Sequence, residues 1–182
     1  MKKIYLVIAF ILCIFLLPAG IAEASESVAP VAVNYDLAYP GILPDNPLYK
    51  LKVLRDKISA GLINDPLKKI DFYLLQTDKG ILATAMLVDN NKIKLAEETA
   101  LKAENNYTLL IQQFGKLYEK PDAAFFQKLR TSSLKHQEVL LSLIKRVPKD
   151  KQSVFETVLE FSKRNLNQVN RYQNQKSQQF KE

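Results

Sequence analysis

Cysteine is almost missing from this chain. Of its 182 residues only Cys13 carries a thiol, and it lies in an apolar run between Leu12 and Ile14. A lipoprotein signal needs a small residue directly before the cysteine, so Cys13 does not read as a lipidation site. A chain trimmed of that segment holds no cysteine, which excludes disulfides, thiolate metal sites and cysteine nucleophiles together. Its fold must then rest on burial alone. Histidine is equally scarce, with His136 the single example. Without thiolates beside it, His136 would need nearby carboxylates to hold zinc or copper, and Glu138, two residues on, faces elsewhere on a helix. His136 is therefore expected at the surface or at the edge of the core. The five glycines form no phosphate-cradling loop, and valine and isoleucine fall at helical spacing, so nothing reads as a strand.

The longest apolar run, Ile4 to Leu17, follows Lys2 and Lys3 and precedes Pro18, with Ala22-Glu23-Ala24 ahead of Ser25. A charged start, an apolar middle and small residues at the end are the three parts of a signal peptide over residues 1–24. Cleavage after Ala24 would leave 158 of the 182 residues. The alternative is an uncleaved N-terminal membrane anchor, although the run counts about 14 residues where a spanning helix wants about 20. The expected destination is outside the cytoplasm: periplasmic, extracellular or attached to the cell envelope. Without Lys2, Lys3 and Glu23 the chain carries 24 basic and 18 acidic residues, a formal charge of +6. That excess is dispersed in pairs such as Lys68-Lys69 and Lys145-Arg146, which reads as a solvated helical surface and not as a nucleic-acid patch. Attraction to an anionic envelope surface is compatible with it.

Proline placement divides the rest. Pro30, Pro40, Pro44 and Pro47 come early, and only Pro66, Pro121 and Pro148 follow. Proline is tolerated in the first turn of a helix and breaks its interior, so the last three mark helix starts. Residues 25–45 read as an extended leader, 46–172 as a helical domain and 173–182 as a polar tail that frays. The first helix should run from Pro47 to about Leu62, capped by Asp45 or Asn46, with Leu51, Leu54 and Ile58 on a face that docks on the rest. Asp65-Pro66 opens a second helix bearing Leu67, Ile70, Leu74, Thr77, Ile81, Ala85 and Val88. After a turn at Asp89-Asn90-Asn91, Ile93, Ala96, Ala100, Ala103, Tyr107, Leu110, Phe114 and Leu117 keep three-four spacing. Such stripes predict an antiparallel hairpin with a coiled-coil-like seam, its alanines permitting close approach. A fourth helix from Pro121 to about Val147 and a fifth from Pro148 follow, the fifth with a wetter stripe of Phe155, Val158, Ser162, Asn165, Val169 and Tyr172. The predicted fold class is all-α: a long antiparallel helical hairpin with additional packed helices, about five in all, bundle-like behind the leader.

The segment Leu43-Pro44-Asp45-Asn46-Pro47-Leu48-Tyr49-Lys50-Leu51-Lys52 resembles the opening of the domain-of-unknown-function 5667 family, secreted helical proteins of bacteria and some archaea. There a Leu-Pro-Asp-Ser/Asn-Pro-Leu/Phe-Tyr-x-Leu-Lys run precedes a helical hairpin. The resemblance covers about residues 39–117. It implies an exported helical protein and no settled activity. Where the family often has Arg and Glu on the second helix, this chain has Lys79-Gly80 and Thr84.

No constellation of residues assembles a chemistry. Ser132 and Ser133 share a helix with His136 but lack the glycine pattern of a nucleophile elbow. Glu97, Glu98 and Glu104 interleave with Lys92, Lys94 and Lys102, as on an exposed salt-bridged face. Asn106-Tyr107-Thr108 matches the glycosylation triplet, a match common by chance. Phe72, Tyr73, Tyr107, Phe114, Tyr118, Phe125 and Phe126 read as core filling, or more sharply as a groove for an apolar partner. No catalytic, cofactor-binding or metal-binding residue is assigned, and no cofactor, small-molecule substrate or nucleic acid is expected. The chain reads as a non-enzymatic protein-interaction or envelope-associated module, whose partner would be a protein or the envelope surface. The alternative is a periplasmic chaperone-like helical protein that binds unfolded clients.

Overall fold

A computed structural model describes residues 32–119 and 121–179, so the expected signal segment lies outside the described residues. The described residues form five α-helices and no strand: α1 (Tyr49–Leu62), α2 (Pro66–Asp89), α3 (Ile93–Gln112), α4 (Ala123–Arg146) and α5 (Gln152–Gln179). The chain is all-α, as its periodicity predicts. Asp65 caps α2 by accepting from the Lys68 N–H, with Pro66 in the first turn. Asp122 does the same for α4 through the Phe125 N–H, so this helix starts two residues after Pro121. The α2–α3 turn closes with Asn91 at φ 57°, a left-handed conformation that asparagine tolerates. Three helix ends differ from expectation. Helix α3 stops at Gln112 and tightens into a 3-10 turn over Phe114–Lys116, and α5 is preceded by a second such turn over Lys149–Lys151. In the other direction, α5 continues to Gln179, into the stretch expected to be a frayed tail.

Helices α2 to α5 make a four-helix bundle in which α2 packs on α3, α4 on α5, α3 on α5 and α2 on α4. The expected stripes supply its interior. Ala96, Ala100, Ala103, Tyr107, Leu110 and Phe114 of α3 are buried, as are Phe155, Val158, Ser162, Asn165 and Val169 of α5. One apolar cluster at the α2–α3 turn end gathers Ile81, Leu87, Leu140, Leu143, Phe155 and Val158. A second, at the opposite end, holds Ile70, Leu74, Leu110, Phe114, Phe126 and Val169. Aromatic rings fill the second, with the Phe114 ring 4.6 Å from that of Tyr172 and 6.3 Å from that of Phe126.

The seam makes a direct test possible. Ala100 is completely buried, while the Lys102 side chain is 70% exposed and pairs with Glu98. Ala100→Leu is expected to lower stability by about 1–3 kcal/mol through overpacking, and Lys102→Leu to leave it within about 0.5 kcal/mol. Urea denaturation of the two variants checks this, and equal midpoints would place the seam elsewhere.

The structure reverses the expectation for α1. Leu51, Leu54, Ile58 and Leu62 are 64%, 55%, 55% and 75% exposed, and Leu48 ahead of them is exposed too. The opposite face turns toward the bundle, yet α1 buries no residue fully and makes few contacts with the other helices. The physical reason is geometric. Four amphipathic stripes already close a four-helix core, and a fifth has no interior left to enter. Asn46 accepts from the Leu48 N–H at 2.9 Å, and Asp45 pairs with Lys92 instead of capping the helix.

The leader has a structural role of its own. Over residues 32–37 exposure alternates, with Val33, Tyr35 and Leu37 turned inward and Ala32, Asn34 and Asp36 outward. Such a period of two is that of extended chain. The Val33 N–H donates to Glu138 of α4 at 2.7 Å, the Tyr35 hydroxyl donates to Asp78 of α2 at 2.6 Å, and Leu37 joins the first apolar cluster. Lys135 and then the Val33 N–H hold the Glu138 carboxyl below its usual range. The leader is thus a strap across α2 and α4.

Candidate functional site

Between the two apolar clusters lies a buried polar layer to which every helix of the bundle contributes. Helix α2 gives Thr77 and Asp78, α3 gives Glu104, α4 gives Ser132, Ser133 and His136, and α5 gives Ser162 and Asn165. His136 is its centre. The ring is fully buried, with Nε2 2.7 Å from Asp78 Oδ1 and Nδ1 3.6 Å from Glu104 Oε1. This contradicts the expected surface or edge position. Glu104 is 1% exposed, so it does not belong to the salt-bridged face with Glu98. Its place on the helix explains the error. It follows Ala103 and lies one turn before Tyr107 and Thr108, at the margin of the buried stripe where α5 covers it.

Hydrogen bonds connect the rest. Ser132 Oγ donates to Asp78 Oδ1 at 2.9 Å, and Tyr35 reaches the other carboxylate oxygen. Asn165 Nδ2 donates to Glu104 Oε2 at 3.1 Å, and Thr108 Oγ1 donates to Asn165 Oδ1 at 3.3 Å. The Tyr107 ring stands edge-on to the imidazole, centroids 5.9 Å apart, and its hydroxyl donates to the Leu129 carbonyl. Burial alone would lower the pKa of His136, but the bonds and charges of Asp78 and Glu104 outweigh it and raise the value to about 9. Burial, followed by the nearby Asp78 carboxylate, pushes the Tyr35 hydroxyl above its ordinary range.

The chemistry open to this layer is limited. A histidine that carries its proton at neutral pH cannot take one from Ser132, and Ser132 already donates to a carboxylate. Ser132, His136 and Glu104 are sealed from solvent, and neither surface cleft described next is lined by any of them. Among the described residues no group of three or more histidine, cysteine or carboxylate side chains is placed so that it could hold a metal ion.

Outside the bundle the arrangement is open. The inward face of α1, through Tyr49, Val53, Asp56 and Ala60, roofs a cleft of about 800 Å³ whose floor includes Phe72, Tyr73 and Gly80 of α2 and Ala103 and Leu109 of α3. Lys52, Lys57, Lys79 and Lys102 also border it. A shallower depression joins Tyr39 and Ile42 of the leader to Leu48, Leu51, Arg55 and Lys79. Lys52 fixes this corner by donating to the Pro40 carbonyl at 2.7 Å. Of the aromatics expected in the core, Tyr107, Phe114 and Phe126 are buried, Phe72 and Tyr73 reach the cleft, and Tyr118 is almost wholly exposed.

The sequence profile of the family described as Domain of unknown function (DUF5667) matches residues 41–181. The chain belongs to the DUF5667 family. The match extends beyond the stretch of 39–117 that carried the resemblance, so the DUF5667 region takes in α4 and α5 and all four helices of the polar layer. No curated protein and no solved structure gives a significant match to the chain.

Proposed function

We propose that this DUF5667 protein is an exported, non-enzymatic helical module that works through its outer surface, as an envelope-associated or protein-binding element. The observation that carries the reading is the division between inside and outside. Asp78, Glu104 and His136 face one another in a buried layer, whereas aliphatic side chains and cations stand exposed along α1. Export is supported by Lys2 and Lys3, the apolar run from Ile4 to Leu17 and the small residues at Ala22 and Ala24. No helix among the described residues is long and apolar enough to cross a membrane.

Cell fractionation with mass spectrometry tests the reading. The protein is expected in the envelope or secreted fraction with Ser25 at its start. Recovery from the cytosol with an intact N-terminus would overturn it. The open cleft beneath α1, with Phe72, Tyr73 and Leu109 in it, favours a second reading as a chaperone-like cradle. That reading requires the protein to suppress aggregation of an unfolded client at near-equal molar ratio, and it fails if aggregation proceeds unchanged.

A further inference from the structure

We propose that α1, together with the Tyr39–Ile42 corner before it, is a membrane-surface helix that lays its leucine stripe into an anionic lipid interface. The inference rests on the reading of a surface-acting envelope module and names the surface. Leu48, Leu51, Leu54, Ile58 and Leu62 are all more than half exposed. They fall at three- and four-residue steps, so they form one continuous outward stripe. At 1.5 Å per residue, the 14 residues of α1 extend about 21 Å, too short to cross a bilayer and suited to lying in its plane.

Charge decides between occupants. Helix α1 carries Lys50, Lys52, Arg55 and Lys57 against Asp56 alone. By helical position, Lys50 and Lys57 border one edge of the stripe and Arg55 the other. A second copy of this chain seated on the stripe would bring like charges against both edges. A narrow protein groove would take the central leucines and leave the flanking cations idle. A flat anionic surface meets the stripe, the edge of Lys50 and Lys57, and Arg55, which pairs with Asp56 and is 66% exposed, at once, with the long basic side chains reaching the phosphates while their stems lie along the apolar zone. Tyr39 and Ile42, exposed beside Leu48 in the same shallow depression as Arg55 and Lys79, extend the patch with an aromatic ring of the kind that favours the interface.

The chain contains no tryptophan, so a single introduced one reports its own surroundings. The mature chain, from Ser25 onward, carrying Leu54→Trp is mixed with phosphatidylcholine vesicles, with and without phosphatidylglycerol. Emission is expected to shift to shorter wavelength with the anionic vesicles only, and to be quenched by brominated acyl chains. Leu134→Trp on α4, also exposed, should show neither effect. Leu51→Asp with Leu54→Asp should lower vesicle partitioning on the order of a hundredfold without changing the melting temperature, because both side chains are outside the core.

An unshifted Leu54→Trp signal overturns the proposal even if the chain sediments with vesicles, since contact then comes from other residues. A concentration-dependent dimer abolished by the aspartates, or a partner protein captured through the stripe without vesicle binding, overturns it in favour of those occupants. An envelope location with no lipid signal sinks this inference alone. A cytosolic location sinks the broader reading.

Discussion

Replacing His136 by leucine is expected to cost about 3–5 kcal/mol of stability at neutral pH. The size follows from what is left behind. Asp78 and Glu104 stay buried on facing helices, and the one cation between them is gone. Asp78 would keep the donors Tyr35 and Ser132, and Glu104 would keep Asn165, but neither set carries charge. A leucine of comparable size leaves no large cavity, so the loss reports electrostatics more than packing. Urea denaturation measures it, and a change below about 1 kcal/mol would mean that the ring contributes no more than its volume.

The same group makes the native protein sensitive to alkali. His136 has an ordinary value near 6.5 in an unfolded chain and about 9 in the fold. A raised folded value means that the native state holds the proton more tightly, so the contribution is complete below about pH 6.5 and is lost as pH climbs through about 9. Asp78 from α2, Glu104 and Tyr107 from α3, and Tyr35 from the strap are the titratable groups around it. Stability should therefore fall between about pH 6.5 and 9.5 in the native chain, and this decline should be much flatter in His136→Leu. Parallel pH profiles for the two proteins would assign the slope to other groups.

Gly80→Ala should destabilise the fold although alanine is the better helix former by about 1 kcal/mol. A β-carbon built on Gly80 lies 2.6 Å from the Ala103 β-carbon and 3.2 Å from its α-carbon. Ala103 has no rotamer by which to retreat, so α2 and α3 must separate along the most extensive helix pair of the bundle. Overpacking of this kind costs about 1–3 kcal/mol, and Gly80→Leu should cost more and lower the yield of folded protein. Adding Ala103→Gly to Gly80→Ala should recover much of the loss, because it removes the clashing atom and little else. A raised melting temperature for Gly80→Ala would show that the two backbones are not in close approach.

The stripes of α3 and α5 were legible because each is periodic over many turns and most of its residues end in the core, including the wet positions Ser162 and Asn165, with Ile93, Leu117 and Tyr172 half-buried against it. The family relation was legible in the segment from Leu43 to Lys52, through its resemblance to the run that opens the family's helical hairpin. What a single helix cannot display is how many neighbours it will find. Leu51, Leu54 and Ile58 form as clear a stripe as any in the bundle, and they face solvent because the other four close without them. The polar layer was missed for a related reason. Thr77-Asp78, Ala103-Glu104, Ser132 with His136, and Ser162 with Asn165 each look like a minor blemish on one stripe. Aligned at mid-height across four helices, Asp78 meets Ser132 and His136, and Glu104 meets Asn165, and that alignment was the available signal.

One consequence of the polar layer concerns which arrangements of these helices are permitted at all. Aliphatic cores tolerate sliding, since one leucine replaces another when a helix moves along its axis. Here a slip of one turn, about 5.4 Å, would carry Asp78 or His136 out of reach of its partners and into the space of Leu74, Ile81 or Leu140. An unpaired charge in such surroundings costs several kcal/mol, so each misaligned bundle is penalised at its middle even when its ends still pack. The layer acts as a vernier, fixing the height of every helix against the others. Tyr35 reads the same mark, which sets where the strap lies as it leads into the exposed helix.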